Sequence, residues 1–166
     1  MKDWKGFERG VAKMVVETFK DYGISNKDCF RTPMSGGHRY ARQTDPGDLV
    51  ISPRLRKLFP VHVECKCYAT VNMAQFLFPV SAWKKSWKCS MWLKQMEEAK
   101  VGNLLPLLVF KENNGVIMAA FPLRGAFSSW AELSFKNKMV FKYHGEEWYM
   151  VRFETFLRKA LARHDR

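Results

Sequence analysis

The chain has 166 residues, 47% of them apolar, with 28 Lys and Arg against 16 Asp and Glu and a formal net charge of +12. That length suits one well-filled core, so residues 1–166 are expected to form a single domain, and no apolar stretch approaches the ~20 residues of a membrane-spanning helix. A field of this sign attracts polyanions, either nucleic acid or an anionic membrane surface, but by itself names no function.

The first residues are charged and lead straight into a helical pattern, without an apolar region and a small-residue cleavage site, which points to a protein that stays in the cytoplasm. Across residues 4–22, Trp4, Phe7, Val11, Val15, Phe19 and Tyr22 recur at helical spacing, and Gly23 can end the helix. Glu8 falls four residues after Trp4 and three before Val11, so it points along the apolar stripe. It is either an edge carboxylate paired with Lys5 or Arg9, or a functional group.

Residues 29–32 fit a short strand, and residues 33–47 a loop carrying Ser35, Gly36, Gly37, His38, Arg39 and Arg42. Glycines beside basic residues let a backbone approach phosphate closely, although an ordinary solvated turn has the same letters. Residues 48–51 begin an apolar strand, residues 52–60 read as a basic connection, and residues 61–68 alternate strictly. Alternation puts His62, Glu64 and Lys66 on one face and Val61, Val63, Cys65 and Cys67 on the other, the core side. His62 reads as a solvent-facing residue at a strand start. Cys65 and Cys67 then serve as small buried hydrophobes, and the four cysteines as reduced thiols without the spacing of a zinc site.

Residues 83–100 suit a crossover helix closed by Gly102. Its Trp83, Trp87 and Trp92 alternate with lysines and are helix-face core or base-stacking groups. Strands at 104–110 and 116–121 join through Asn113, Asn114 and Gly115. Strands at 138–143 and 148–152 turn about Gly145, and a basic helix covers about 153–164. The fold class is α/β, a central mixed sheet flanked by helices.

Pairing of the Asp48 and Glu64 strands would bring together two carboxylates and the Lys66 ammonium. Carboxylates at short range repel unless one is protonated or a cation sits beside them. Mg2+ suits such a set, taking the carboxylates, a carbonyl such as that of Cys65, water and substrate oxygens, with Mn2+ as a substitute. The plain alternative is a surface ion pair between Glu64 and Lys66.

Pro46-Gly47-Asp48, then Glu64-Cys65-Lys66, preceded by a helix with Glu8, resembles the PD-(D/E)XK nuclease pattern. The nearer likeness is to archaeal-type Holliday junction resolvases, phage-encoded ones included. It extends through Phe7-Glu8-Arg9-Gly10-Val11-Ala12, Ser35-Gly36-Gly37 and Leu108-Val109-Phe110-Lys111, over about the first 122 residues, leaving about 123–166 as a C-terminal extension.

The resemblance implies a restriction-endonuclease-like core in which Glu8, Asp48 and Glu64 hold the metal with the Cys65 carbonyl. Lys66 acts as base or electrostatic helper, and Ser35 assists at the scissile phosphate. It implies hydrolysis of DNA at four-way junctions by a homodimer, whose two-fold symmetry would match paired nicks. Arg39, Arg42, Arg54, Arg56, Lys57, Lys84, Lys85 and Lys88 are candidate phosphate contacts, and Gln75 or Gln95 candidate partners of phosphate. A nuclease of duplex, flap or single-stranded DNA, and a non-catalytic nucleic-acid binder, are the alternatives.

Overall fold

Helix α1 (Trp4–Phe19) buries Phe7, Val11, Ala12, Val15 and Phe19 along one face, and Glu8 is buried in the same stripe. These positions come from a computed structural model, which describes residues 4–33, 47–71, 73, 76, 88–98, 102–124 and 135–164. A 3-10 turn (Lys20–Tyr22) prolongs the helix and stops at Gly23, whose φ of 73° is left-handed and whose N–H donates to the Lys20 carbonyl at 2.8 Å.

Strands β1 (Cys29–Arg31) and β2 (Leu49–Ile51) form an antiparallel pair with Arg31 opposite Leu49. Where a basic connection was expected, the chain makes a helix, α2 (Pro53–Leu58). Ser52 caps it, its Oγ accepting from the Leu55 N–H at 3.2 Å, Pro53 enters at the first turn where its missing N–H costs nothing, and Leu55 is buried.

The main sheet has five strands in the order β3-β4-β5-β7-β6: β3 (Val61–Tyr68), β4 (Leu105–Glu112), β5 (Met118–Pro122), β6 (Met139–Tyr143) and β7 (Glu146–Arg152). β3 and β4 run parallel, from Val61 opposite Leu105 to Tyr68 opposite Glu112, and the remaining pairs are antiparallel. Helix α3 (Lys88–Glu98) belongs to the crossover that a parallel pair requires. Helix α4 (Phe153–Ala162) follows β7 directly. The sheet is mixed and flanked by helices, an α/β fold of the restriction-endonuclease type.

Both faces of the sheet are covered. One packs Val61, Val63, Cys65 and Cys67 with α1, α2 and α4, through residues such as Phe19, Phe59, Phe121 and Phe156. The other packs Leu108, Phe110 and Trp148 against Trp92, Leu93 and Met96 of α3. Trp92 is therefore core, while Trp83 and Trp87 lie outside the described residues. The expected C-terminal extension supplies two strands of this sheet, and α4 packs its Phe153, Phe156 and Leu157 into the α1 side of the core. All four cysteines are free and buried, and Cys65 and Cys67 face the core. Among the described residues no helix is long and apolar enough to cross a membrane.

His62 is a correction. It is 4% exposed, not solvent-facing, because the sheet face it shares with Glu64 is also covered. Among the described residues neither ring nitrogen has a hydrogen-bond partner, and burial, then the charge of Arg124, lowers its pKa to about 4, so the ring is neutral near pH 7.

Candidate active site

β3 is the edge strand of the main sheet, and its outer edge receives the start of β2. β2 does not ladder with β3 as the sequence reading expected. Instead, one backbone bond joins them, from Asp48 N–H to the Val63 carbonyl at 2.8 Å, and the Asp48 carboxylate accepts from Cys65 N–H at 2.7 Å. Val63 and Cys65 are alternate residues and turn their polar groups the same way, so the Cys65 carbonyl also faces this edge.

Thr32, which sequence reasoning gave no role, and Gly47, noted only as part of the motif, hold the segment there. Thr32 N–H donates to the Asp48 carbonyl at 2.8 Å, and its buried hydroxyl donates to the Gly47 carbonyl at 2.8 Å. Gly47 lies so close to β3 that a Cβ on it would stand 2.5 Å from the Val63 carbonyl oxygen. The Gly-Asp pair is thus set by sterics as well as by hydrogen bonds. Thr32→Val is expected to lower stability by about 1–2 kcal/mol, by leaving the buried Gly47 carbonyl without its donor. Thermal unfolding measures the loss, and an unchanged midpoint would mean that Thr32 does not pin the segment.

Glu64 and Lys66 share the opposite face of β3 from Cys65 and are ion-paired through Glu64 Oε1 and Lys66 Nζ. Glu8 arrives from α1 and accepts from Nε of Arg31 on β1. Arg31 was not among the sequence candidates. A signal existed: in β1 it lies two residues from buried Cys29, on the face turned to α1, where Glu8 interrupts the apolar stripe.

The electrostatics tie these groups together. The Asp48 carboxyl is raised to about 7, first by burial and then by the charge of Glu64, with the Cys65 N–H opposing and Glu8 adding to the rise. Burial, then Asp48, Glu8 and Glu64, holds the Cys65 thiol far above its ordinary value, so it is no thiolate ligand or nucleophile. Among the described residues, the carboxylates of Glu8, Asp48 and Glu64 meet here with Arg31 and Lys66, and the repulsion that Glu64 and Glu8 exert on Asp48 is of the kind that a divalent cation would offset. The donor set is all oxygen, which fits a hard cation. Among the described residues no three His, Cys, Asp or Glu side chains stand close enough to hold a metal as they are. The carboxylates of Glu8 and Glu64 are turned to Arg31 and Lys66.

Ser35, Arg39, Arg42, Gln75, Lys84 and Lys85 lie outside the described residues. Arg54 is exposed and donates to the Tyr22 carbonyl at 2.9 Å, Lys57 is exposed, Arg56 is partly buried, and Lys88 lies over the Tyr68 ring at 4.3 Å. Gln95 is exposed on α3, on a cavity shared with Lys66.

The family model described as phage putative PDDEXK endonuclease matches residues 5–164. No curated protein and no solved structure matches the chain.

Proposed function

The chain belongs to the phage putative PDDEXK endonuclease family, and from that premise we propose that it is a Mg2+-dependent, structure-selective endonuclease that cuts four-way DNA junctions. The observation that carries this reading is the meeting of Asp48 with Glu64-Cys65-Lys66 on the outer edge of β3, with Glu8 brought in by α1. Such a group has no use in a protein that only binds DNA, because buried carboxylates repel phosphate.

Glu8, Asp48, Glu64 and the Cys65 carbonyl would hold the cation, with Mn2+ able to replace Mg2+. A divalent ion bound there would supply polarisation of a phosphoryl oxygen and offset the charge that builds up during attack. Asp48 is fixed by the Cys65 N–H, so one ligand is oriented in advance. Lys66 leaves Glu64 for the scissile phosphate, orients the attacking water and stabilises the phosphoryl oxygens. Water attacks phosphorus as the P–O bond opposite it breaks, and the proton that the water loses passes through solvent to the departing oxygen. Arg31, which now pairs with Glu8, would let that carboxylate turn to a bound cation and would add a second positive group near the phosphate. The charge of +12 supplies sequence-independent attraction to the backbone, and two chains related by a two-fold axis would place one site on each of two symmetric strands.

The test compares a fixed synthetic four-way junction with a linear duplex, a flap and a single strand of matching sequence. Each is incubated with Mg2+, with Mn2+ and with chelator, for wild type and Glu64→Ala. Paired nicks in the junction, dependent on the cation and lost in the variant, are expected. Equal cutting of all substrates would retain the nuclease and remove the junction preference. Binding without cutting under every condition would make the chain a binder.

A further inference from the structure

Past Lys66, β3 continues to Tyr68, and the face that carries both residues forms one wall of a cavity of about 950 Å3. Helix α3 supplies the opposite wall with Met91, Gln95, Glu97 and Glu98, and the β6–β7 turn closes one end with Tyr143 and His144. The cavity therefore begins at the lysine assigned to the scissile phosphate. We propose that it receives an unpaired nucleobase from the nucleotide next to the cut, an inference that rests on the nuclease reading above.

Its lining separates a base from a phosphate. Met91 and the part of Tyr68 left uncovered by buried Trp92 and by Lys88 offer thioether and aromatic surface, which suits a planar ring of any sequence. Met91 is 57% exposed at the rim, a large apolar side chain left uncovered beside Lys94. Glu97 and Glu98 put carboxylates in the cavity of a chain whose net charge is +12. Glu98 pairs with Lys94 of the same cavity at 3.7 Å, so with Lys66 at the mouth the lining carries no positive excess to favour a phosphate, while the carboxylates accept from amino groups on base edges and Gln95 both donates and accepts. Burial, with Glu97 and Glu98 adding to it, raises the pKa of the Tyr143 hydroxyl, which therefore stays a donor. Adenine, cytosine and guanine carry exocyclic amines and match this acceptor-rich lining, and thymine matches it least.

A base inside an intact duplex cannot enter without breaking its stack, whereas one at a branch point, bulge or flap is already free of its partner. The cavity thus supplies selection for branched or interrupted DNA through a base rather than through backbone shape.

The experiment uses the full chain and a duplex carrying one unpaired nucleotide, either adenine, thymine or an abasic analogue, beside the fully paired duplex. Wild type is expected to cut the adenine substrate roughly ten-fold faster than the abasic one, the scale of one base stack, with thymine between them. In the double variant Met91→Ala/Gln95→Ala that ratio falls to near one. Unpaired 2-aminopurine at the same position reads insertion directly in chelator: its fluorescence changes on binding to wild type, and the change shrinks in the variant. Equal cutting of the adenine and abasic substrates by wild type overturns the proposal and leaves the nuclease standing. If nothing is cut, the nuclease reading fails, and a 2-aminopurine signal identical in wild type and variant rejects the cavity as well.

Discussion

Asp48→Asn is expected to reduce cleavage roughly 10³-fold or more, the scale on which a charge-stabilising group acts at a reacting centre, and at the same time to stabilise the cation-free protein above neutral pH. The two effects have one cause. The Asp48 carboxyl, ordinarily near 3.8, is raised to about 7 by burial and by Glu64, so the native state keeps a proton that the unfolded chain has released. Wild-type stability from this group is complete below about pH 4 and is lost as pH rises through about 7. Asparagine can accept from Cys65 N–H without a charge and avoids that loss. His62 works the other way: its pKa is lowered to about 4, so its contribution grows as pH rises through about 4 to 6.5. The readout is therefore the difference between wild type and variant, which is small at pH 4 and favours the variant by about 2–4 kcal/mol at pH 8 in chelator. Saturating Mg2+ should reduce that advantage, because only the carboxylate binds it well. A variant that cuts at the wild-type rate would remove Asp48 from the site.

Which way several of these side chains face was legible because it depends on local patterns, while their grouping into a candidate site came from the family resemblance. Alternation in residues 61–68 assigned Glu64 and Lys66 to one face and Cys65 to the other, and helical spacing put Glu8 among apolar neighbours, as the fold shows. What escaped depends on residues far apart in sequence. The burial of His62 arises from what covers the second face of the sheet, and the role of Arg31 from packing of β1 on α1. Thr32 and Gly47 looked like the rims of a loop, yet their hydrogen bonds join β1, β2 and β3. Helix α2 is too short for a periodic signal, and its cap, Ser52 before Pro53, was the one sequence feature that marked it.

Gly47→Ala is expected to lower stability by about 1–3 kcal/mol and to slow cleavage together with it, while Gly10→Ala, the same chemical change, should stabilise by up to about 1 kcal/mol. Gly10 sits on the exposed face of α1, and a Cβ there meets nothing within 4 Å, so alanine only removes freedom from the unfolded chain. At Gly47 the Cβ would stand 2.5 Å from the Val63 carbonyl oxygen and 3.2 Å from its nitrogen, both main-chain atoms of the edge strand. Neither can turn aside as a side chain would, so relief requires the segment to lift off β3. Lifting opens the bond from Asp48 N–H to Val63 and the bond from Cys65 N–H to the Asp48 carboxylate, and carries Asp48 away from Glu64. Thermal unfolding and single-turnover cleavage of both variants separate the cases. A Gly47→Ala protein that unfolds at a lower temperature but cuts at the wild-type rate would mean that the close approach supports the fold and not the site.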